Sequence, residues 1–108
     1  MQAVAQFQIL YWHDIPLQVR AGNRQDRVSL ELAPRFQVAI DKAAMEAGLT
    51  GTGDYLDAFR WSRVAERDGT AEEVAKAVVA ELEGAFPEVD WRMTAKSIVA
   101  RDTSQESG

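Results

Sequence analysis

Residues 17–48, LQVRAGNRQDRVSLELAPRFQVAIDKAAMEAG, decide the fold because the hydrophobic period changes within them. The first half alternates apolar and polar residues on both sides of the turn-forming segment GNRQD, which is the pattern of a β-hairpin with one apolar face. Strands are predicted at 17–21 and 27–32. A short helix is the alternative for residues 28–33, since SLEL is compatible with either structure.

The second half of this stretch has helical spacing. Pro34 suits the first turn of a helix, and Gly48 suits the position just after its end, so a helix is predicted over 34–47. A second helix is predicted over 70–86, because Thr70 opens a capping box of the form Thr-Ala-Glu-Glu and a proline follows the apolar stripe. Both helices are amphipathic and therefore need another layer to pack against.

The remaining segments extend the sheet. Residues 5–12 alternate at first and become apolar on both sides toward their end, as expected for a strand that is covered there. Residues 55–64, YLDAFRWSRV, also alternate and are predicted as a strand with its aromatic side inward and Arg60 outward. A short strand or a short helix fits residues 88–102, and residues 103–108 are polar.

These elements predict an α+β two-layer sandwich. Its sheet would be antiparallel or mixed and four-stranded, with two helices covering one face, because that arrangement buries both apolar stripes. The length of 108 residues fits one domain, predicted over 1–102, followed by a polar tail over 103–108.

Composition excludes several classes of function. Hydrophobic residues make up 46% and charged residues 27%, as in ordinary soluble domains. With no cysteine, the chain has no disulfide, thiol nucleophile or thiolate metal site. The N-terminus lacks the pattern of a signal peptide and no apolar run could span a bilayer, so a cytoplasmic location without a membrane contact is expected. A net charge of −5 argues against nucleic acid as a partner.

The stretch LYWHDIP, residues 10–16, is the first candidate site. It places two aromatics beside His13, the chain's single histidine, and Asp14, ahead of the corner that Pro16 sets. A histidine oriented by a carboxylate could act as a general base, but neighbouring strand residues point to opposite faces and no motif marks a nucleophile. Catalytic zinc usually has about three protein ligands, commonly histidines, and this chain has one histidine, whereas a magnesium site made of carboxylates alone stays open. The loop LTGTGD lacks the lysine of a phosphate-binding loop. No cofactor is expected, and the non-enzymatic interpretation is favoured.

Arginines and aromatics form the second set of candidates. If the strands are neighbours, several arginines could converge on an anion-binding surface, namely Arg20, Arg24, Arg27, Arg60 and Arg63. The alternative is a charged strand edge that prevents aggregation. Tyr11, Trp12 and Trp61 could likewise be a stacking platform or simply core, and Trp12 is expected at the surface because it lies opposite Phe7 and Ile9.

The segments YWHDIPLQV, RVSLELAPRFQVAIDKAAMEAGL and DYLDAFRW together resemble a small bacterial family labelled "virulence factor". That family has a Tyr-Trp-Arg-Asp-Ile-Pro block, so His13 stands where arginine is usual, which weakens the case for a general base; Leu17 replaces a smaller residue. The resemblance implies a stand-alone protein or a module in chains with NifU-like and helical-repeat segments. It also implies a link to folate- and corrinoid-dependent one-carbon metabolism. The label describes a phenotype, not a reaction.

Three hypotheses for function follow. The leading one is an accessory module that binds a protein partner, with self-association left open. The residues expected to carry it are Trp12, His13, Asp14, Pro16, Arg20, Arg27, Arg60 and Trp61. The second is a domain that binds a small phosphate- or folate-type anion through Arg20, Arg27 and Arg60. The third is an enzyme that uses His13 and Asp14 as acid and base.

Overall fold

The computed structural model describes residues 3–23, 25–49 and 53–106. They form an α+β sandwich, as predicted, whose sheet is entirely antiparallel and has five strands instead of four. The elements in chain order are β1 (Val4–Trp12), β2 (Ile15–Gly22), β3 (Arg27–Glu31), α1 (Pro34–Glu46), α2 (Gly53–Asp57), β4 (Phe59–Trp61), β5 (Ala65–Asp68), α3 (Ala71–Ala85) and α4 (Trp91–Glu106).

The first three strands form a meander, which contains the predicted hairpin of β2 and β3. β1 pairs with β2 and β2 with β3, so the order in the sheet is β3, β2, β1, β4, with β5 also on β1. Helix α3 packs across β1, β2 and β3, and α1 packs on β2. Val19 and Ala21 of β2 are buried, while Gln18 and Arg20, which alternate with them, are half-exposed on the other face. The strand period therefore separates a core face from an open face.

The predicted strand over 55–64 is confirmed only at Phe59–Trp61. Its first residues form the single turn of α2, and the strand that follows is divided into β4 and β5, which lie one after the other along β1. Ser62 bridges the break, because its Oγ accepts a hydrogen bond from the Ile9 N–H at 2.8 Å. A short amphipathic segment fits both periods, and a charged strand such as β5 is tolerated at a sheet edge.

The two predicted helices, α1 and α3, begin and end close to the predicted residues. In α3 the Thr70 hydroxyl accepts from the Glu73 N–H at 3.2 Å, and the Glu73 carboxylate accepts from the Thr70 N–H at 2.9 Å, so the capping box is complete. Just beyond the end of helix α1 comes Gly48, whose φ of 77° lies in the left-handed region. The N–H groups of Gly48 and Leu49 then donate to the carbonyls of Met45 and Ala44, which is the Schellman arrangement.

The segment that fitted either a strand or a helix is helical. The Asp90 carboxylate accepts from the Met93 N–H at 3.2 Å at the start of α4, which packs against α1. The helix runs to Glu106, so most of the segment expected as a polar tail is helical, and residues 107 and 108 lie outside the described part. The division into a domain over 1–102 and a tail stays a prediction.

Candidate functional site

The hairpin turn between β1 and β2 consists of His13 and Asp14, because Trp12 pairs with Ile15. His13 has a φ of 54°, a left-handed conformation that few residues other than glycine adopt and in which histidine is enriched. Its N–H donates to the Ala58 carbonyl at 3.4 Å, and its ring meets the Trp12 ring edge-on with centroids 4.6 Å apart. The hydrogen bond to Ala58 and the contact with the Trp12 ring therefore both hold the turn in place.

A cleft of about 350 Å³, here called the turn cleft, lies between this turn, β4 and α4. Its lining residues are His13, Asp14, Ala58, Arg60, Thr94, Ser97 and Ile98. The Asp14 Oδ1 accepts a hydrogen bond from the Thr94 hydroxyl at 2.5 Å, and Thr94 is only 2% exposed. Asp14 and Arg60 are both exposed, and among the described residues neither forms an ion pair.

Trp12 does not lie at the surface, contrary to the expectation from the sequence. It is 0% exposed, and its indole Nε1 donates to the Tyr55 carbonyl at 2.9 Å. Helix α2 covers this end of β1, and the pairing with β2 shifts register between Leu10 and Tyr11, so strict alternation no longer predicts which side chains are covered. Pro16 is buried as well. Neither residue can contact a partner directly.

Arg20 and Trp61 meet on the open face of the sheet, opposite the face on which α3 packs. The Arg20 guanidinium lies 3.9 Å from the centre of the Trp61 ring. Its Nε and Nη2 both donate to the Gln8 Oε1, at 3.1 and 2.8 Å, and the Gln8 Nε2 donates to the Ser62 carbonyl at 2.8 Å. This chain of hydrogen bonds holds the guanidinium over the indole ring.

Cross-strand register brings these residues together. Gln8 pairs with Arg20, and Leu10 pairs with Trp61. Leu10 and Trp61 are half-buried, yet neither belongs to the hydrophobic core, so the prediction of an inward aromatic side holds for Phe59 and not for Trp61. We call Gln8, Leu10, Arg20 and Trp61 the open-face patch.

Next to this patch lies a groove of about 220 Å³, here called the amide groove. It is lined by Gln6, Phe7, Gln8, Arg20, Gly22, Asn23, Arg27 and Val64. Two arginines and three amide side chains thus face a space that has no carboxylate in its lining. The charged side chains of this lining are therefore both positive.

The predicted convergence of arginines is only partly present. Arg20 and Arg27 share the amide groove, whereas Arg60 lines the turn cleft, because Arg60 and Trp61 are neighbours on a strand and point to opposite faces. Arg63 is exposed between β4 and β5, and Arg24 lies outside the described residues. A single surface made of Arg20, Arg27 and Arg60 is therefore not formed.

A family model described as "Virulence factor" matches residues 10–93. The chain belongs to the virulence factor family. The match includes the hairpin turn, Arg20 and Trp61, and it ends one residue before Thr94. No curated protein and no solved structure matches the chain.

Two residues of this virulence factor domain were missed by sequence reasoning. Gln8 lies on the polar side of the alternating segment 5–12, and that alternation indicates its role only once the register with Arg20 is known. Thr94 lay in the segment of undecided structure, and nothing in its surroundings indicated that its hydroxyl would be buried against Asp14. Both act through hydrogen bonds between residues far apart in the chain.

Within residues 3–23, 25–49 and 53–106, no three histidine, aspartate or glutamate side chains come together as a metal site would require. Nor does any helix of these segments have the length and apolar character needed to cross a membrane. Beside Trp12, burial raises the pKa of the Tyr55 hydroxyl above its ordinary value, with a smaller contribution from Asp41.

Proposed function

We propose that this member of the virulence factor family is a non-enzymatic interaction module that binds a protein partner through the open-face patch. The observation that carries the proposal is the fixed stack of Arg20 on Trp61, anchored by Gln8, on the face of the sheet opposite α3. Tryptophan and arginine are the residues most enriched among those that dominate binding energy at protein interfaces.

The patch is ordered before any partner arrives. An arginine normally loses rotamer freedom when it is immobilised at an interface, at a cost of about 0.5–1.5 kcal/mol. Here two hydrogen bonds to Gln8 and the indole beneath already restrict Arg20. Leu10 adds an apolar neighbour that the core does not use. The interaction surface is therefore preorganised.

The charge of the surroundings indicates the chemistry of the partner. The patch continues into the amide groove, where Arg27 is exposed and no carboxylate lines the space. A partner segment that carries acidic side chains next to an aromatic or aliphatic one complements both parts, because carboxylates pair with arginine in planar geometry and apolar groups cover Leu10 and Trp61.

The test compares partners captured from the native host by the wild-type protein and by two patch variants, Arg20→Gln and Trp61→Ala. Arg63→Gln is the matched control, since Arg63 is an exposed arginine outside the patch. A partner that the wild type and the control both retain, and that both patch variants lose, is then purified for titration. Loss of a dominant contact of about 2 kcal/mol weakens Kd roughly 30-fold. Retention of every partner by both patch variants refutes the proposal.

A second candidate is favoured by the amide groove itself, which joins Arg20 and Arg27 with amide side chains around a small space. It is the binding of a small phosphate- or folate-type anion. Thermal unfolding should then shift upward with increasing concentration of inorganic phosphate, a nucleotide or a polyglutamylated folate, and Arg27→Gln should reduce the shift. An unfolding temperature that does not change with any ligand of this panel would exclude the binding of a small anion.

The cellular setting is proposed from the family resemblance and the composition alone. It is cytoplasmic and connected with folate- and corrinoid-dependent one-carbon metabolism, with no nucleic acid and no membrane among the partners. Cell fractionation checks the compartment, size-exclusion chromatography checks self-association, and one-carbon metabolite pools in a deletion strain check the pathway. Unchanged pools would argue against the metabolic link. The acid–base role of His13 and Asp14 stays a prediction.

A further inference from the structure

We propose that the turn cleft is a second binding site, which takes a small zwitterion of the amino-acid class with its carboxylate at Arg60 and its ammonium group at Asp14. This site is separate from the open-face patch, and the inference does not rest on the proposed function. It assigns a role to the two charged residues of the turn cleft that the patch does not use.

Two opposite charges line the turn cleft without forming a salt bridge. Asp14 and Arg60 are both exposed in its wall, and among the described residues no salt bridge joins them to each other or to a third group. A space of about 350 Å³ suits a small molecule, since ligand pockets start at roughly 300 Å³. A ligand that carries both charges can satisfy both walls at once.

The Asp14 carboxylate, which forms the anionic wall of the turn cleft, is held in position before a ligand binds. Thr94 is buried at 2% exposure and donates its hydroxyl to the Asp14 Oδ1 at 2.5 Å, which fixes the carboxylate and leaves its other oxygen for a ligand. The turn itself is held by the His13 N–H bond to Ala58. Little reorganisation is needed when an ammonium group arrives.

Other residues of the turn cleft supply an apolar surface and a hydroxyl group. Ala58 and the 5%-exposed Ile98 supply an apolar surface, and the exposed Ser97 supplies a hydroxyl at the opening. These residues fit a short aliphatic chain between the two charged ends. The carboxylate of Asp14 also repels phosphate and other multiply charged anions, which distinguishes this cleft from the amide groove.

The test is a titration of 15N-labelled full-length protein followed by amide chemical shifts. The ligands are three zwitterions of increasing charge separation, namely L-alanine, β-alanine and γ-aminobutyrate, with acetate, ethylamine and inorganic phosphate as comparison ligands. For at least one zwitterion we expect saturable shifts at Asp14, Arg60 and Ser97. Its Kd should be at least tenfold lower than those of acetate and ethylamine, because each of these engages only one wall.

Single substitutions at Arg60 and Asp14 test the two charged walls of the turn cleft separately. Arg60→Gln and Asp14→Asn should each weaken the binding of the zwitterion at least tenfold, and Asp14→Asn keeps an oxygen that can accept from Thr94, so the turn stays supported. Arg63→Gln and Arg20→Gln should leave the Kd unchanged. The inference is overturned if no zwitterion gives saturable shifts at Asp14, Arg60 and Ser97, if acetate or phosphate shifts these three amides with a Kd as low as that of the best zwitterion, or if Arg60→Gln binds like the wild type.

Discussion

The hydrogen bond between Thr94 and Asp14 allows a quantitative test of how α4 is attached to the hairpin turn. It joins residues 80 positions apart, with the hydroxyl of Thr94 buried and the carboxylate of Asp14 exposed. The perturbation is a double-mutant cycle of Asp14→Ala, Thr94→Val and the two together. Valine keeps the shape of threonine and removes only the hydroxyl.

The expected magnitudes differ between the two sides of the bond. Asp14→Ala leaves a hydroxyl at 2% exposure without its acceptor, which costs about 1–3 kcal/mol. Thr94→Val leaves a carboxylate that water can solvate again, so about 1 kcal/mol or less is expected. The double variant has no stranded polar group and should resemble Thr94→Val alone. The coupling free energy should therefore equal the cost of Asp14→Ala, about 1–3 kcal/mol.

Urea unfolding of the four proteins, with a common m-value, measures these differences. A domain of this size loses roughly 4–8 °C of Tm per kcal/mol, so thermal unfolding gives an independent check. Total stability of about 5–15 kcal/mol allows all four proteins to fold. The reasoning is refuted if the single changes add within about 0.5 kcal/mol, or if Thr94→Val is more destabilising than Asp14→Ala.

Three other results are expected. Trp12→Ala should lower the free energy of unfolding by about 3–5 kcal/mol, because the side chain is fully buried; a loss below 1 kcal/mol in urea unfolding would contradict that burial. Arg20→Lys should lower the free energy of unfolding by less than about 1 kcal/mol, because the residue is half-exposed. It should nevertheless shift the indole N–H resonance of Trp61, and an unshifted resonance would show that the stack is absent in solution. The backbone hydrogen bond from Thr70 lowers the pKa of Glu73, so this group stabilises the fold above its ordinary pKa and the contribution is lost as the pH falls through the lowered value. Glu73→Gln keeps the capping bond without titrating, so its stability should decline less on acidification, and an identical acid profile would count against the capping role.

Local signals in the chain predicted most of the framework. The hairpin over 17–32, the helix that starts at Pro34 and the capping box at Thr70 each depend on residues within a few positions of one another, and the structure confirms all three. The family also follows from the order of short motifs along the chain, and the family model confirms it. In each case the deciding interactions are short-range, so a linear pattern contains them.

Long-range pairing decided the rest. The segment 55–64 has two compatible periods, and only its position along β1 made part of it helix and part of it strand. In the same way α2, distant in sequence, covers Trp12, and cross-strand register places Arg20 over Trp61 while Arg60 faces the other side.

Local patterns in the chain were thus enough to predict the class of fold, helices α1 and α3, the hairpin of β2 and β3, and the family of this protein. The tertiary structure alone decided which of the candidate residues are accessible and which of them meet, since Trp12 is buried, Asp14 is held by Thr94 and the arginines divide between two surfaces. The physical reason is that strand and helix periods specify a side chain's direction relative to its own element. Burial and convergence depend on which other elements pack there, and that information is not local.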